Sequence, residues 1–106
     1  MSYSSKVSVI TPSYNSEKTI KDTIASVVLQ DYPNIEHIFI DGNSKDQTVD
    51  LIKKYINKND KLVSEKDNGI FDAMNKGVKN STGDIIGILN SDDFYVSKDS
   101  ISSIVE

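Results

Sequence analysis

The sequence predicts an α/β fold in which helices flank a mostly parallel sheet, and two observations lead to this prediction. Short β-branched runs alternate along the chain with stretches whose apolar residues recur at helical spacing. The connections between these stretches are short, as is typical of strand–helix–strand units. At 106 residues the chain is long enough for one domain with a single core.

The first strand–helix unit begins with a predicted strand at Val7–Ile10, where β-branched residues dominate. Apolar residues at helical spacing between Ile20 and Val28 predict the following helix, with Ser16 as its N-cap. This helix should end before Pro33, because proline disfavours helical backbone in the residue that precedes it.

The second unit begins with a predicted strand at Ile35–Ile40. Ser44–Gln47 fits a capping box, which predicts the start of the next helix. Val49, Ile52 and Ile56 give that helix its buried face.

The second half of the chain repeats the alternation. Lys61–Ser64 predicts a short third strand, and Ile70–Val78 predicts a third helix. Asp84–Leu89 predicts a strongly apolar fourth strand, and Ile101–Val105 a further helix. Because Glu106 falls inside this last helical pattern, we expect the domain to be truncated.

A polar cluster follows each predicted strand. In parallel sheets ligands bind beyond the carboxyl ends of the strands, so these clusters should meet at one edge. The clusters are Thr11–Asn15, Asp41–Ser44, Glu65–Gly69 and Asn90–Asp93. The sequence therefore predicts a binding site at that edge.

The charge and composition of the chain limit its partners. A formal net charge of -4 argues against nucleic acid as the main partner, since that binding depends on lysine and arginine. The same negative charge is compatible with a nucleotide diphosphate as ligand if a divalent cation accompanies it. The chain has no cysteine, which excludes disulfides and thiolate zinc sites.

The location of the protein is predicted from the absence of targeting patterns. The segment Met1–Lys6 has no apolar core of signal-peptide length. No apolar run approaches the roughly 20 residues that cross a bilayer. We therefore expect a soluble, cytoplasmic chain, with peripheral contact to the inner face of a membrane left to segments outside this sequence.

The cluster Asn90–Asp93 is the strongest candidate for a metal site. Mg²⁺ and Mn²⁺ prefer oxygen ligands, and such an ion can stabilise a diphosphate leaving group. Asp92 and Asp93 would supply carboxylates at the end of an apolar strand. The alternative is a solvated acidic loop that only caps a turn.

Three further candidates each have a structural alternative. Asp41 could accept hydrogen bonds from a base or ribose, or form a local turn with Gly42. Tyr14 could stack on a base, or be an ordinary half-buried tyrosine. Asn75 and Lys76 lie near the predicted edge, where the lysine could contact phosphate or remain a solvated helical side chain.

Six segments, in order and with similar spacing, resemble the opening of family 2 glycosyltransferases, which have the Rossmann-like GT-A fold. These segments are Ser8–Asn15, Gln30–Glu36, Ile40–Thr48, Glu65–Gly77, Ser81–Asp84 and Leu89–Asp93. The resemblance implies inverting transfer of a sugar from a nucleotide diphosphate donor, commonly a UDP-sugar, with Mg²⁺ or Mn²⁺. It also implies a saccharide or lipid-linked acceptor and a role in surface polysaccharide biosynthesis.

The resemblance assigns residues 1–106 to the nucleotide-sugar-binding portion of the domain. Its donor-binding residues would be Thr11, Pro12, Tyr14, Asn15, Asp41, Asp67, Asn75, Lys76, Asn90, Ser91 and Asp92. Asp92 would be the main metal ligand, with Asp93 beside it. Two positions depart from the family pattern: Asn90 replaces a common aspartate, and Met74 replaces a common arginine.

The catalytic base of the family is a carboxylate on a later, acceptor-binding segment, so we expect it beyond Glu106. Inverting transfer needs such a base to take the proton of the acceptor hydroxyl. Residues 1–106 should therefore bind the donor but transfer poorly or not at all.

Three other interpretations compete with a glycosyltransferase. A nucleotidyltransferase should have a glycine- and arginine-rich loop after its first strand. A non-catalytic α/β module that binds metal or nucleotide, such as a receiver-like signalling domain, should have an acidic pair there. The chain has Thr11–Asn15 at that place, which fits neither. The third interpretation is a remnant domain that binds no ligand. Dinucleotide and P-loop glycine motifs are absent from the sequence.

Overall fold

The computed structural model describes residues 5–105, in which four strands alternate with four helices. In chain order they are β1 (Val7–Ser13), α1 (Ile20–Val28), β2 (Ile35–Asp41), α2 (Thr48–Tyr55), β3 (Lys61–Ser64), α3 (Ile70–Asn80), β4 (Ile85–Ile88) and α4 (Ser100–Val105). The strands form one parallel sheet in the order β3-β2-β1-β4, which confirms the predicted α/β fold.

The ends of the chain lie outside the described residues. Two predictions concern these ends. The prediction that the chain does not begin with a signal peptide rests partly on residues 1–4, and the prediction that the domain is truncated rests on Glu106. Among residues 5–105, none of the helices has the length and apolar character that a bilayer crossing requires.

Alternate side chains of the strands pack against opposite layers of helices. On one face, Val9 packs with Val27 of α1 and Ile101 of α4, and Phe39 packs with Ile52 of α2. On the other face, β1 and β2 pack against α3, in a cluster that contains Ile10, Ile38, Ile40 and Ala73. Helices α1, α2 and α4 therefore cover one face of the sheet, and α3 covers part of the other.

Helix α3 lies unusually close to β1 at Gly77. A Cβ atom built on this glycine would lie 2.4 Å from Cγ2 of Ile10, a distance that real side chains do not reach. The missing side chain therefore lets the helix sit against the strand. This contact sets the distance between the start of α3 and the strand ends.

Strand β1 continues three residues beyond the end of β4. The last described pair of these two strands is Ile10 with Ile88, whereas β1 pairs with β2 as far as Ser13 and Asp41. Thr11–Ser13, which the sequence analysis placed after the strand, therefore belong to it. The last bond between the two strands runs from the Leu89 N–H to the Ile10 carbonyl at 2.9 Å, and among the described residues no strand lies beside β1 on this side after it.

Strand β4 is less buried than its apolar sequence suggests. It pairs with β1 on one side, and α3 covers the neighbouring strands rather than β4. Ile86 and Ile88 are consequently 43% and 42% exposed, and Val78 of α3 is half exposed. The described chain thus leaves one apolar face of this strand uncovered.

The predicted N-cap of α1 is wrong. The helix begins at Ile20 after a turn, with Thr19 in the cap position and no side-chain cap bond. Ser16 contributes its main-chain oxygen to that turn, at 2.9 Å from the Ile20 nitrogen. Its hydroxyl instead lies 2.7 Å from the hydroxyl of Ser91.

The predicted capping box of α2 is also wrong. The helix begins at Thr48, and Asp46 Oδ1 accepts the Thr48 N–H at 2.9 Å. Ser44 donates its hydroxyl to Asp41 at 2.6 Å and does not cap the helix. Both errors have one cause: the serines are recruited by groups at the ends of the strands.

A buried carboxylate holds the opposite end of the sheet together. Glu36 accepts hydrogen bonds from Ser8 Oγ at 2.5 Å and from the Thr82 N–H at 2.6 Å. The ammonium groups of Lys6 and Lys61 lie 3.4 and 3.6 Å away. Burial alone would raise the pKa of Glu36, but these hydrogen bonds and the nearby Lys61 lower it to about 2. This cluster therefore stabilises the sheet at the end opposite to the polar clusters.

Candidate functional site

An open cleft of about 880 Å³ lies at the carboxyl ends of β1 and β4. It occupies the space that opens where β4 stops short of β1. Seven of the residues predicted for the site line it: Pro12, Tyr14, Asn15, Asp67, Asn90, Ser91 and Asp92. Three of the four predicted strand-end clusters therefore contribute to the cleft. The cluster after β2, Asp41–Ser44, does not line it, and Asp46 forms the wall on that side.

A second cavity of about 460 Å³ adjoins the cleft and shares Tyr14 and Asp67 with it. Its other walls include Gly42, Lys45 and Lys66. The side chain of Tyr14 is 57% exposed between the two spaces. One elongated ligand could therefore extend from the second cavity, past the tyrosine ring, into the cleft.

Thr11 is buried in the sheet and does not line the cleft. Alternation along β1 directs it toward the α1 and α2 face, where its hydroxyl lies 2.7 Å from His37 Nε2. Burial of the imidazole lowers the pKa of His37 to about 3, so the ring is neutral. This pair stabilises the sheet behind the site.

The carboxylate of Asp41 is fully buried and its hydrogen-bonding capacity is used. Oδ1 accepts the hydroxyls of Ser13 at 2.8 Å and Ser44 at 2.6 Å. Oδ2 accepts the Ser44 N–H at 2.8 Å and the Ser64 hydroxyl at 3.0 Å. Asp41 therefore joins the ends of three strands, and a direct bond to a base would require one serine to move.

Lys76 is held outside the cleft by carboxylates. Its ammonium group lies 3.3 Å from Glu65 and 3.3 Å from Asp72, and it donates to the Lys66 carbonyl at 3.2 Å. Asn75, its neighbour on α3, is exposed and is not a wall of the cleft either. Lys76 thus braces the loop after β3 against α3.

Several walls of the cleft were missed by the sequence analysis. Glu17, Lys18 and Thr19 come from the segment before α1, which looked like an ordinary helix lead-in. Asp46 lies within Ser44–Gln47, the segment whose pattern predicts a capping box. Their position directly after Tyr14–Asn15 is the signal that could have identified them.

The cleft is acidic. Its carboxylates come from Glu17, Asp46, Asp67 and Asp92, while Lys18 is the one cation among the described lining residues. An anionic ligand would therefore meet a negative surface unless it entered with a cation.

The loop after β1 is fixed to the loop after β2. Asn15 accepts the Lys45 N–H at 2.7 Å through its side chain, and its own N–H donates to Ser44 Oγ at 2.9 Å. The Ser16 N–H donates to Thr48 Oγ1 at 2.7 Å. Asn15 adopts a left-handed backbone, with φ of 48°, which this asparagine tolerates at the turn. These bonds hold the backbone that carries Tyr14.

The acidic loop after β4 is a tight turn. The Asp93 N–H donates to the Asn90 carbonyl at 3.0 Å, which places Asp92 near the tip of the turn. Asp92 and Asp93 are both exposed, and of the two Asp92 lines the cleft. The structure therefore separates the two predicted metal ligands.

The oxygen donors at this turn suit a hard cation. No three His, Cys, Asp or Glu side chains within residues 5–105 converge on a common point that would hold a metal. Asp92 and the amide oxygen of Asn90 could bind Mg²⁺ or Mn²⁺ together with phosphate oxygens and water, the usual arrangement for Mg²⁺. The residues fit a cation that arrives with a phosphorylated ligand.

Comparison with protein families gives a match over nearly the whole chain. Residues 8–106 match the model of Glycosyl transferase family 2. The Escherichia coli UDP-Glc:alpha-D-GlcNAc-diphosphoundecaprenol beta-1,3-glucosyltransferase WfaP is 38% identical over 94 residues, which cover 86% of this chain and 37% of WfaP. The chain spans less than half the length of the curated relatives it matches.

Two solved structures superpose closely. Mannosyltransferase PcManGT from Pyrobaculum calidifontis, in complex with GDP-Man and Mn²⁺, has a TM-score of 0.89 at 27% identity, over 95% of this chain and 31% of that one. Staphylococcus aureus TarS 1-349, in complex with UDP-GlcNAc, has a TM-score of 0.84 at 31% identity, over 94% of this chain and 30% of that one.

Proposed function

The chain belongs to glycosyl transferase family 2 and has the GT-A fold that its sequence predicted, and on this basis we propose that it forms the donor-binding part of a glycosyltransferase. The donor is a nucleotide diphosphate sugar, and a UDP-sugar in particular. The activity of the whole protein is inverting transfer of that sugar to a saccharide or lipid-linked acceptor in surface polysaccharide biosynthesis.

The observation that carries this proposal is the joining of two cavities at Tyr14 and Asp67. The nucleobase occupies the second cavity and stacks on the Tyr14 ring. The diphosphate then extends into the cleft toward Asp92, and the sugar lies beyond it. The UDP-GlcNAc complex of TarS, which shares this fold at 31% identity, supports a uridine donor.

The charge of the cleft supports a role for a divalent cation. Glu17, Asp46, Asp67 and Asp92 would repel a diphosphate, and Lys18 alone does not balance them. We propose that Asp92 and Asn90 hold Mg²⁺ or Mn²⁺ together with the donor phosphates, as the Mn²⁺ complex of PcManGT suggests. Such a cation stabilises the negative charge of the departing nucleoside diphosphate.

The acceptor and the catalytic base lie outside the donor cleft. The name of WfaP gives a diphosphoundecaprenol-linked acceptor, and that of TarS gives poly(ribitol-phosphate). Both support an acceptor from the cell-surface polysaccharides for this protein. We place the base in the part of the relatives that this chain does not cover, so that residues 1–106 bind the donor without efficient transfer.

Isothermal titration of the 106-residue chain tests the proposal. UDP-GlcNAc, UDP-glucose and GDP-mannose are each titrated with and without Mn²⁺, and we expect Mn²⁺-dependent binding of the uridine donors. Tighter binding of GDP-mannose would contradict the uridine assignment. Binding of nucleoside triphosphates alone would favour a nucleotidyltransferase, and failure of every nucleotide with a folded sample would favour a remnant domain.

A further inference from the structure

We infer that Thr23, a buried residue of α1, is a positioning residue for Asp92 and thereby sets the affinity of the site for a cation-bound diphosphate. The inference rests on the proposed function, because it concerns the same cleft. It goes beyond the sequence motifs, since Thr23 belongs to none of the polar clusters at the strand ends.

The hydroxyl of Thr23 contacts the acidic turn, Asn90–Asp93, from the side on which α1 lies. The side chain is 1% exposed, and its oxygen makes a short hydrogen bond to the Asp93 carbonyl and lies 3.1 Å from the Ser91 carbonyl. A hydroxyl has one proton, so it serves one of these acceptors at a time, and the Asp93 oxygen is the nearer.

Thr19 complements this contact. Its hydroxyl donates to the Ser91 carbonyl at 2.8 Å. Positions four apart lie on the same face of a helical segment, so Thr19 and Thr23 present their hydroxyls side by side. Together they hold the peptide oxygens on both sides of Asp92.

A purely local role for Thr23 fits the distances poorly. Threonine hydroxyls in helices often bond the carbonyl four residues earlier, and here that contact, to Thr19, is the longest at 3.4 Å. The nearer partners lie 68 and 70 residues further along the chain. The hydroxyl therefore joins α1 to the turn, within a buried stripe that also contains Ile20 and Ile24.

Anchoring of the turn affects binding because an anchored carboxylate is ordered before the ligand arrives. A loose turn would lose conformational freedom on binding and weaken the affinity. Groups that orient a metal ligand typically change metal affinity by about 10–100-fold when they are removed. Asp92 gains this support from two hydroxyls on a helix that is packed into the core.

Thr23→Val removes the hydroxyl and keeps the shape of the side chain, and Thr23→Ser keeps the hydroxyl. The Kd for UDP is measured by titration calorimetry with and without Mn²⁺, alongside the thermal midpoint of the ligand-free protein. We expect Thr23→Val to weaken Mn²⁺-dependent binding about 10-fold, with Mn²⁺-free binding unchanged. Thr23→Ser should restore the wild-type affinity.

Ser26→Ala is the matched control, because its buried hydroxyl bonds only within α1, to the Thr23 carbonyl at 2.8 Å. We expect it to bind UDP with Mn²⁺ as the wild type does. An unchanged Kd in Thr23→Val, an equal loss with and without Mn²⁺, or no rescue by Thr23→Ser would overturn the inference. Should Thr23→Val fail to fold, Thr23→Ala against Thr23→Ser provides the same comparison.

The two proposals fail in distinguishable ways. If the folded wild type binds no UDP with Mn²⁺, the proposed function is wrong and this inference is wrong with it. If the wild type binds and Thr23→Val binds equally well, the proposed function stands and only the role of Thr23 is disproved.

Discussion

The hydroxyls of Ser16 and Ser91 lie 2.7 Å apart and join the loops that follow β1 and β4. The first of these loops carries Tyr14, and the second carries Asp92. The loop with Ser16 is also bonded to Thr48 at the start of α2. The aromatic wall and the acidic wall of the cleft are therefore connected, and substitutions on either wall should act on one binding event.

Asp92→Ala should abolish the Mn²⁺-dependent part of nucleotide binding, because Asp92 is the carboxylate of the acidic turn that lines the cleft. We expect a loss of at least about 10-fold in the Kd for UDP with Mn²⁺, measured by titration calorimetry. Asp93→Ala is the companion variant and should lose less. Equal losses in the two variants would contradict the arrangement described here.

Tyr14→Ala should weaken binding of every uridine ligand by about 1–3 kcal/mol, the usual contribution of a base stacked on an aromatic ring. Tyr14→Phe should retain most of the affinity. Because the side chain is 57% exposed, neither change should alter the thermal midpoint much. Wild-type affinity of Tyr14→Ala for UDP would rule out stacking.

Asp41→Asn should weaken nucleotide binding by a similar factor with and without Mn²⁺. The carboxylate accepts hydrogen bonds from Ser13, Ser44 and Ser64, and an amide cannot accept all of them. We also expect a loss of about 1–3 kcal/mol in the free energy of unfolding, measured in urea. A loss confined to Mn²⁺-dependent binding would place Asp41 in a different role.

Gly77→Ala should destabilise the protein, although this exchange in a helix usually stabilises. The new methyl group would lie 2.4 Å from Ile10 Cγ2 and would push α3 from the sheet. Overpacking of this kind costs about 1–3 kcal/mol, which urea unfolding would detect. Gly87→Ala is the control, since its nearest neighbour would lie at 3.9 Å. Increased stability of Gly77→Ala would contradict the close packing.

The free energy of unfolding should fall as the pH is lowered from 6.5 toward 5. Burial lowers the pKa of His37 from 6.5 to about 3, so between these values the unfolded chain binds one more proton than the folded protein. This stability is present in full above pH 6.5 and is lost by about 1.4 kcal/mol per pH unit below it.

The chain contains one histidine, so the slope just below pH 6.5 reports on His37, whereas near pH 5 Glu36 begins to add to it. Urea unfolding at pH 7.5, 6.0 and 5.0 would measure the slope. His37→Gln, which can still hydrogen-bond Thr11, should remove it. A flat profile in the wild type over this range would mean that the ring is not buried as described.

The order and type of the elements could be predicted because their signals are local. β-branched runs and helical spacing identified all eight elements, and their alternation implied the parallel sheet. The start of α1 could not be predicted from local sequence. The hydroxyl of Ser16 is recruited by Ser91, a partner 75 residues away that no local pattern reveals.

The positions of some candidate residues could be predicted because they too follow from local sequence. Tyr14 and Asp92 lie where strand ends face the cleft, as expected from their positions after β1 and β4. Thr11 was misplaced because β1 is longer than its β-branched run, so alternation turns this side chain to the His37 face. Lys76 pairs with Asp72 one turn earlier on α3, and with Glu65 in the loop after β3, a contact that helical spacing does not reveal.

Because β4 is shorter than β1, the opening of the cleft beside β1 is formed by the backbone. The register ends at Ile10 and Ile88, and the neighbouring Pro12 has no N–H to leave unpaired along the vacant edge. Side chains around this gap can therefore be exchanged to suit other sugars or bases while the gap itself persists. An insertion that lengthened β4 by two residues should narrow the opening without closing it, because Pro12 cannot donate the main-chain hydrogen bond that further pairing would require.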